Sequence, residues 1–289
     1  MFTYYSSYEK YFENAENHRK EEDIAGKLFF PGLKSLIRNS KKGMFLDVGT
    51  GSGVIVRKVA TEGVFSVGID ISRAGIFLGK KMAISEQIDH ITEFLIGDAT
   101  RLPFKDDAFT IVECQELLEH LPNPSSCISE LSRITKREGV VLIQTPNFAS
   151  PFVVVSEKGV EKGRKDLKTA FIAFVSAIVS KNQLKRLIMF LIMYLQLNLL
   201  KNHSFSLVLK PRLSKDPAFA CGDKDDLVYL SNIIEIEHFV KRLGLTILFS
   251  SSYVIRKAHP LAKAIASVLG SLPILNKFGP NCFIQAKKT

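Results

Sequence analysis

Several residue types that define whole classes of proteins are scarce in this sequence of 289 residues. It has no tryptophan, and its four cysteines, Cys114, Cys127, Cys221 and Cys282, include no Cys-x-x-Cys pair. A disulfide framework or a structural zinc site needs cysteines at closer and more regular spacing. The spacing therefore predicts reduced thiols, as in a cytoplasmic protein.

Long hydrophobic runs are also missing. Residues 1–20 contain no apolar core of a secretory signal, and the longest uninterrupted apolar stretch, residues 187–195, falls short of the roughly 20 residues that a membrane-spanning helix needs. No repeat and no low-complexity tract is visible. With 46% hydrophobic residues, the chain nevertheless has ample apolar material for a core. We therefore predict a cytoplasmic protein with one large domain and an elaboration.

Short apolar runs alternate with segments of helical character. The predicted strands are Met44–Val48 and residues 64–69, 93–96, 109–112, 140–145, 245–255 and 282–286. Ser72 is predicted to cap a helix, Pro124 to begin one that ends near Gly139, and residues 233–243 to form one that Gly244 closes. This alternation indicates an α/β fold with a doubly wound, mostly parallel sheet.

Acidic residues are absent from residues 167–215. Residues 151–210 contain ten Lys and Arg against three Asp and Glu, an excess of seven out of the chain's net charge of +10. Most of the chain's positive charge is therefore concentrated in this segment, which indicates that the segment itself interacts with an anionic partner. We interpret residues 151–214 as a basic insertion after the fifth strand.

The same segment is also apolar. Residues 171–179 and 187–200 are apolar on every helical face, and Lys181, Lys185 and Arg186 lie between them. Helices of this kind must be covered by protein, lipid or ligand. The pattern predicts a helical insertion that docks on an anionic membrane surface, or that pairs two copies of the chain as a homodimer.

The most specific motif follows the first predicted strand, Met44–Val48, which runs into Gly49, Gly51 and Gly53. Glycines at a strand-to-helix turn let the backbone bend tightly and approach a ligand that a Cβ atom would exclude. The next predicted strand leads into Asp70, where a carboxylate can accept hydrogen bonds from a ribose diol. Together these signals predict a site for a nucleoside cofactor.

A third strand end extends this motif. Asp98 offers a carboxylate to an exocyclic amine, and the backbone amide beside it, at Ala99, suits a ring nitrogen. NAD is the structural alternative, but a dinucleotide-binding loop has the pattern Gly-x-Gly-x-x-Gly, which this loop lacks. The observed pattern, Asp-x-Gly-x-Gly-x-Gly from Asp47 to Gly53, favours a different cofactor.

On these motifs the chain resembles class I S-adenosylmethionine-dependent methyltransferases of the type 11 group, which includes the ubiquinone-biosynthesis O-methyltransferases. The resemblance is close over residues 44–147 and loose over residues 225–289. It implies a Rossmann-like sheet of seven strands with an antiparallel last strand. It also implies that residues 1–150 form N-terminal helices and the cofactor-binding half of the domain, and that residues 215–289 complete the domain.

The resemblance further implies the residues of the cofactor site, with S-adenosyl-L-methionine lying across the carboxyl ends of the first, second and fourth strands. The glycines would face its methionine part, Asp70 its ribose, and Asp98 and Ala99 its adenine. The cofactor-binding residues that we carry over are Asp47, Gly49, Gly51, Gly53, Asp70, Ile71, Asp98, Ala99 and Gln115.

A second cluster consists of Glu116, Glu119 and His120, which would share one face of a helical turn. Two carboxylates and an imidazole suit either a divalent cation or acid–base work on a hydroxyl. The pattern resembles that of ubiquinone-biosynthesis O-methyltransferases and small-RNA 2′-O-methyltransferases, where a divalent metal is associated with it, although metal-free relatives also carry Glu-His-Leu. A metal site, a catalytic site with His120 as the base, and a structural cap all remain open. We predict catalytic roles for the three residues and no resident metal.

The insertion bears on the methyl acceptor. In this fold, variation after the fifth strand usually builds the acceptor lid, so an apolar, basic insertion predicts O-methylation of a lipophilic or membrane-derived small molecule. Residues 144–147, at the end of the fifth strand, are expected to line the acceptor pocket. The alternatives are a soluble acceptor, an RNA 2′-O-methyltransferase, and a non-catalytic assembly protein. Nucleic acid is disfavoured because the basic segment carries aliphatic side chains where a nucleic-acid groove would interleave exposed aromatic residues with Lys and Arg.

Overall fold

The computed structural model describes residues 33–39, 43–147, 155–156, 159–160, 231–252, 275–277, 279 and 281–289. The predicted insertion at residues 151–214 lies outside these ranges, apart from a short ribbon in which Val155–Ser156 pairs with Gly159–Val160. Cys221, Lys181, Lys185 and Arg186 also fall outside them. The division of the chain into three parts therefore stays a prediction.

Seven strands form the main sheet. They are β1 (Met44–Val48), β2 (Phe65–Asp70), β3 (Thr92–Ile96), β4 (Phe109–Gln115), β5 (Thr135–Pro146), β6 (Leu245–Ser251) and β7 (Asn281–Lys288). Their order is β3-β2-β1-β4-β5-β7-β6. The first five strands pair in parallel, and β7 runs antiparallel to both β5 and β6. The predicted seven-stranded, mostly parallel sheet with an antiparallel last strand is confirmed.

The strand order reverses beside β1. Val48, the last residue of β1, pairs with Ile69 of β2 on one side and with Cys114 of β4 on the other. Connections that leave β1 and β4 therefore diverge, and a crevice opens at the carboxyl edge between them. In doubly wound sheets this is the place where ligands bind.

Five α-helices are described: α1 (Leu33–Asn39), α2 (Val54–Ala60), α3 (Arg73–Ser85), α4 (Pro124–Ile134) and α5 (Ile233–Arg242). Ser72 begins α3 as predicted, because its Oγ accepts the N–H of Gly75 at 3.1 Å. The end of α5 also matches its prediction, since Gly244 follows it with a φ of 80°.

The helix that begins at Pro124 is shorter than predicted. It ends at Ile134, because Thr135 already pairs with Phe109 as the first residue of β5. The register then shifts, and the next pair is Ile111 with Val140. Residues 136–139 form the resulting bulge in β5, which the apolar pattern does not distinguish from a last helical turn.

Consecutive residues of the central strands face opposite layers of the protein. Phe45 and Leu142 pack in the core that contains residues of α1 and α2, whereas Leu46 and Ile143 pack in the core that contains residues of α4 and α5. All four side chains are fully buried. Strands that are buried on both faces are typical of a parallel sheet with helices on each side.

The described part of the chain contains no candidate for a membrane-spanning helix. None of its helices combines the length and the apolar composition that crossing a bilayer demands.

Candidate active site

The glycine-rich loop after β1 lies at the crevice beside the strand-order reversal. Gly49, Gly51 and Gly53 have φ values of 77°, 56° and 73°, in the left-handed region that favours glycine. The N–H groups of Gly49 and Thr50 donate to the carbonyl oxygen of Ile69 at 2.8 and 3.1 Å. The loop is thus tied to the end of β2, which brings it beside Asp70.

Asp70 is held by backbone groups on both sides of its carboxylate. The N–H of Gly51 donates to Oδ2 at 2.8 Å, and the N–H of Ser72 donates to Oδ1 at 2.8 Å. Asp70 remains partly exposed at the crevice. Because each carboxylate oxygen has more than one lone pair, both oxygens can accept a further hydrogen bond from a vicinal diol. The structure therefore presents a pre-oriented pair of acceptors.

Asp47 lies beneath the same loop. Its side chain is buried, and the hydroxyl of Thr50 donates to Oδ2 at 2.8 Å. Burial raises the pKa of Asp47 and the charge of Asp70 raises it further, while the hydrogen bond from Thr50 acts in the opposite direction. A positive group placed over this carboxyl would favour its ionised form.

Gly53 is the position where the loop tolerates a side chain least. A Cβ atom there would lie 2.1 Å from the ring of Phe94, which is buried in the core between α2 and α3, and φ is 73°. We expect Gly53→Ala to lower the free energy of unfolding by about 2 to 4 kcal/mol, from backbone strain and overpacking together. Gly63→Ala is the matched control, because φ there is 84° and no atom lies within 4 Å. If denaturant unfolding showed the same loss of unfolding free energy in both variants, overpacking against Phe94 would be excluded.

The loop after β3 contributes Asp98 and Ala99 to the same edge. Asp98 is exposed, and its Oδ1 accepts the N–H and the hydroxyl of Thr100 at 2.8 and 2.7 Å. Ala99 is buried, and Ile71 is half-buried after the end of β2. The N–H of Gly97 donates to the carbonyl oxygen of Asp70 at 2.9 Å, so the ends of β2 and β3 stay adjacent.

Gln115 ends β4 across the crevice. Its side-chain Nε2 is buried, and it has no hydrogen-bond partner among the residues that the structure describes. A buried amide N–H group without a hydrogen-bond acceptor lowers the stability of the protein. A ligand atom that accepts a hydrogen bond from Gln115 would remove this cost.

The three residues of the second cluster do not share a helical turn. Leu118–His120 forms a single 3₁₀ turn, and Glu116 precedes it with a φ of 47°. Glu116 is exposed, and Nε2 of Gln144 on β5 donates to its Oε1 at 3.2 Å. His120 Nε2 lies 3.9 Å from Glu119 Oε1, which is too long for a hydrogen bond. Within the described ranges, no group of three or more His, Cys, Asp or Glu residues could hold a metal ion.

Glu119 is buried and contacts the end of β5. The hydroxyl of Thr145 lies 2.8 Å from Glu119 Oε2 and 3.0 Å from Ser231 Oγ, and Ser231 donates to the carbonyl oxygen of Pro146 at 2.7 Å. The Thr145 hydroxyl donates to the Glu119 carboxyl. Burial raises the pKa of Glu119 to about 7, although this hydrogen bond acts in the opposite direction.

This arrangement predicts that Glu119→Gln folds and stays compact, because the amide oxygen of glutamine can accept the Thr145 hydroxyl as the carboxyl does. The wild-type protein binds the Glu119 proton more tightly when folded, so it loses stability as the pH rises from 4.5 through 7. We expect the free energy of unfolding of the wild type, measured relative to Glu119→Gln, to fall by about 3 kcal/mol over that range. Equal pH dependence of the two proteins in denaturant titrations would contradict this.

Residues 144–147 were expected to line an acceptor pocket, but the structure buries most of them. Asn147 is fully buried and donates from Nδ2 to the carbonyl oxygens of Lys277 and Gly279 at 2.9 and 2.8 Å. Thr145 belongs to the chain of hydrogen bonds with Ser231 described above. These residues join the end of β5 to the residues before α5 and β7. Sequence reasoning missed Ser231, because no motif marks a serine whose partners lie 85 and 86 positions away.

Together, the fold and this edge of the sheet define a Rossmann-like domain with a candidate ligand site at the strand-order reversal. A comparison with protein families assigns residues 39–191, just over half of the chain, to a family described as a methyltransferase domain. The chain belongs to this family.

Curated relatives carry more specific names. A ubiquinone biosynthesis O-methyltransferase of Pasteurella multocida (strain Pm70) is 34% identical over 110 residues, which cover 35% of this chain and 46% of that protein. The enzyme of the same name from Klebsiella pneumoniae (strain 342) is 30% identical over 132 residues, which cover 43% of this chain and 53% of that protein. The chain spans about half the length of the curated relatives it matches.

Solved structures agree on the fold. A chain from the complex between the Haloferax volcanii Trm112 methyltransferase activator and the putative methyltransferase superposes with a TM-score of 0.53 and 15% identity. The superposition covers 97% of each chain. At this identity the likeness is informative about architecture alone.

Proposed function

We propose that this protein is an S-adenosylmethionine-dependent methyltransferase. The observation that carries the proposal is the contact between the glycine-rich loop and Asp70, whose carboxylate is oriented by the N–H groups of Gly51 and Ser72. Family membership supports the same activity, since the matched region of the chain contains this loop and the ends of all five parallel strands.

The residues present fit the cofactor. The positive φ values of Gly49, Gly51 and Gly53 shape the turn that brings the backbone beside Asp70, and Asp70 suits the two ribose hydroxyls. Asp47 would balance the positive charge of the methionine part, which explains why a buried carboxyl is retained under the loop. Asp98 and Ala99 would take the adenine, and the buried Nε2 of Gln115 would gain the acceptor that it lacks in the described chain.

Catalysis would then demand little covalent chemistry from the chain. The cofactor supplies a methyl group that is already activated by the sulfonium, so the protein has to orient the acceptor in line and remove its proton. His120 is the proposed base, because it lies in the 3₁₀ turn after β4, on the side where the acceptor is expected. Glu116, exposed beside it, would orient the acceptor hydroxyl.

For the acceptor we propose a lipophilic hydroxylated molecule taken from an anionic membrane surface on the cytoplasmic side. Two features support this: the curated relatives are named for ubiquinone biosynthesis, and the sequence of residues 151–214 combines apolar stretches with a strong positive charge. RNA is the less favoured acceptor, because the basic residues of this segment are accompanied mainly by aliphatic residues in the sequence, whereas a single-stranded nucleic acid is typically bound by aromatic and basic residues together.

Two measurements test this proposal. Calorimetry should detect binding of S-adenosylhomocysteine, and absence of binding would refute the cofactor assignment. Flotation with anionic liposomes should carry the protein upward at low salt but not at high salt, whereas replacement of Lys181, Lys185 and Arg186 by Glu should abolish flotation and leave cofactor binding unchanged. Wild-type protein that stays at the bottom of the gradient at low salt would refute membrane docking.

A further inference from the structure

The loop that carries Asp98 is long and has no regular secondary structure. It comprises residues 97–108, between the end of β3 and the start of β4, and we call it the adenine-side loop. Backbone N–H and C=O groups in such a loop need partners from outside it. Only its first turn is held by its own residues, where Asp98 accepts from Thr100 and the N–H of Arg101 donates to the carbonyl oxygen of Asp98 at 3.0 Å.

The ends of the loop are held by main-chain carbonyl oxygens, since Gly97 donates to Asp70 and Ala108 donates to Ile134. The middle of the loop is held by the side chain of Arg133, at the end of α4. Its Nε and one Nη2 hydrogen donate to the carboxylate of Glu130 at 2.7 and 2.8 Å. The remaining donors reach the loop: Nη2 to the carbonyl oxygen of Leu102 at 3.1 Å, and Nη1 to the carbonyl oxygen of Phe104 and to Asp106 at 2.8 and 2.7 Å. All five N–H donors of the guanidinium are therefore used.

Glu130 completes the clamp. Its Oε2 also accepts the N–H of Leu102 at 2.7 Å, so both backbone groups of this buried residue are held by the Arg133–Glu130 pair. The guanidinium lowers the pKa of Glu130, which keeps the carboxylate ionised. Leu102 lies only three positions beyond Ala99, so the clamp restricts how far the loop can move at the predicted adenine contacts.

We propose that Arg133 and Glu130 are positioning residues for the adenine side of the cofactor site. This inference rests on the proposed function, because it assigns no contact between either residue and the cofactor. The pair holds the adenine-side loop in the shape in which Asp98 and Ala99 face the nucleobase. Binding then requires little ordering of the loop, and this lowers the free-energy cost of association.

A lysine cannot replace this arginine. Its ammonium has three donors on a flexible stem and cannot make the planar, two-point contact with Glu130 while it reaches two carbonyl oxygens and Asp106. The partners differ in burial, since the Glu130 side chain is 19% exposed and the Asp106 side chain is 73% exposed. Loss of Glu130 should therefore matter more than loss of Asp106.

The test compares ligand affinities of folded variants. We expect Arg133→Lys to raise the dissociation constant of S-adenosylhomocysteine about tenfold, Glu130→Gln to raise it less, and Asp106→Asn to change it by less than about twofold. In Arg133→Lys, the KM for the methyl donor should rise together with this dissociation constant, while kcat stays within about twofold.

Lys80→Gln is the control, because the ion pair that Lys80 on α3 forms with Glu93 on β3 is exposed. Circular dichroism verifies the fold of each variant, and Glu130→Gln serves if Arg133→Lys does not fold.

A second ligand localises the effect. 5′-Methylthioadenosine has the adenosine but no amino-acid part, so its affinity should fall by the same factor as that of S-adenosylhomocysteine. Unchanged affinities in Arg133→Lys and Glu130→Gln, or a loss confined to S-adenosylhomocysteine, would overturn the positioning role. Failure of the wild-type protein to bind either ligand would instead overturn the proposed function.

Discussion

Alanine at position 120 is expected to lower kcat by about 10² to 10⁴ and to leave the affinity for S-adenosylhomocysteine unchanged. A general base contributes about this much, and His120 is the imidazole that the 3₁₀ turn after β4 holds at the acceptor side. Steady-state kinetics with calorimetry on the same preparation would measure both quantities. His90→Ala is a suitable control, because His90 is exposed in the short turn before β3.

The alternatives to a base give different outcomes. Near-normal turnover of His120→Ala would leave only the role of a structural cap for the loop after β4. Loss of wild-type activity in a chelator, restored by added divalent cations, would favour a metal and contradict the prediction of no resident metal. Glu119→Gln adds a further distinction: activity should persist if Glu119 only accepts the Thr145 hydroxyl, and should be lost if its carboxylate is a metal ligand.

The second large effect is expected at Asp70. Asp70→Ala removes charge-assisted hydrogen bonds that contribute about 1.5 to 3 kcal/mol, which corresponds to a 10- to 150-fold rise in the dissociation constant of S-adenosylhomocysteine. Asp70→Asn should lose nearly as much, because both carboxylate oxygens accept backbone N–H groups and an amide nitrogen would face one of those donors.

A matched control for Asp70 is Asp89→Ala, which removes one exposed carboxylate outside the crevice. It should leave ligand affinity unchanged. An unaltered dissociation constant in Asp70→Ala, in protein that still unfolds cooperatively, would contradict the role of Asp70 in holding the ribose. A parallel fall in affinity and in thermal midpoint would indicate instead that Asp70 mainly holds the glycine-rich loop.

The sheet and the glycine-rich loop were predictable because their signals are local. A buried strand produces a run of apolar residues. The turn from β1 to α2 has positive φ at three positions, and glycine is the residue that adopts this conformation without strain. Both features depend on residues that are close together in the chain. The Ser72 cap is local for the same reason, since it joins residues three apart. The end of α4 was not predictable, because Thr135 leaves the helix to pair with Phe109 on another strand.

The chemistry of the second cluster was decided by the tertiary structure alone. The spacing of Glu116, Glu119 and His120 specified which residue types meet after β4, but their partners come from distant parts of the chain. Burial of Glu119 at the end of β5 raises its pKa, and Thr145, which donates to it, lies 26 positions further along the chain. The same holds for Arg133, whose donors act on a loop about 30 positions earlier. Sequence by itself therefore determined the strands, the glycine-rich turn and the acid at the end of β2, whereas protonation and loop shape depend on desolvation and on long-range hydrogen bonds that only the folded chain creates.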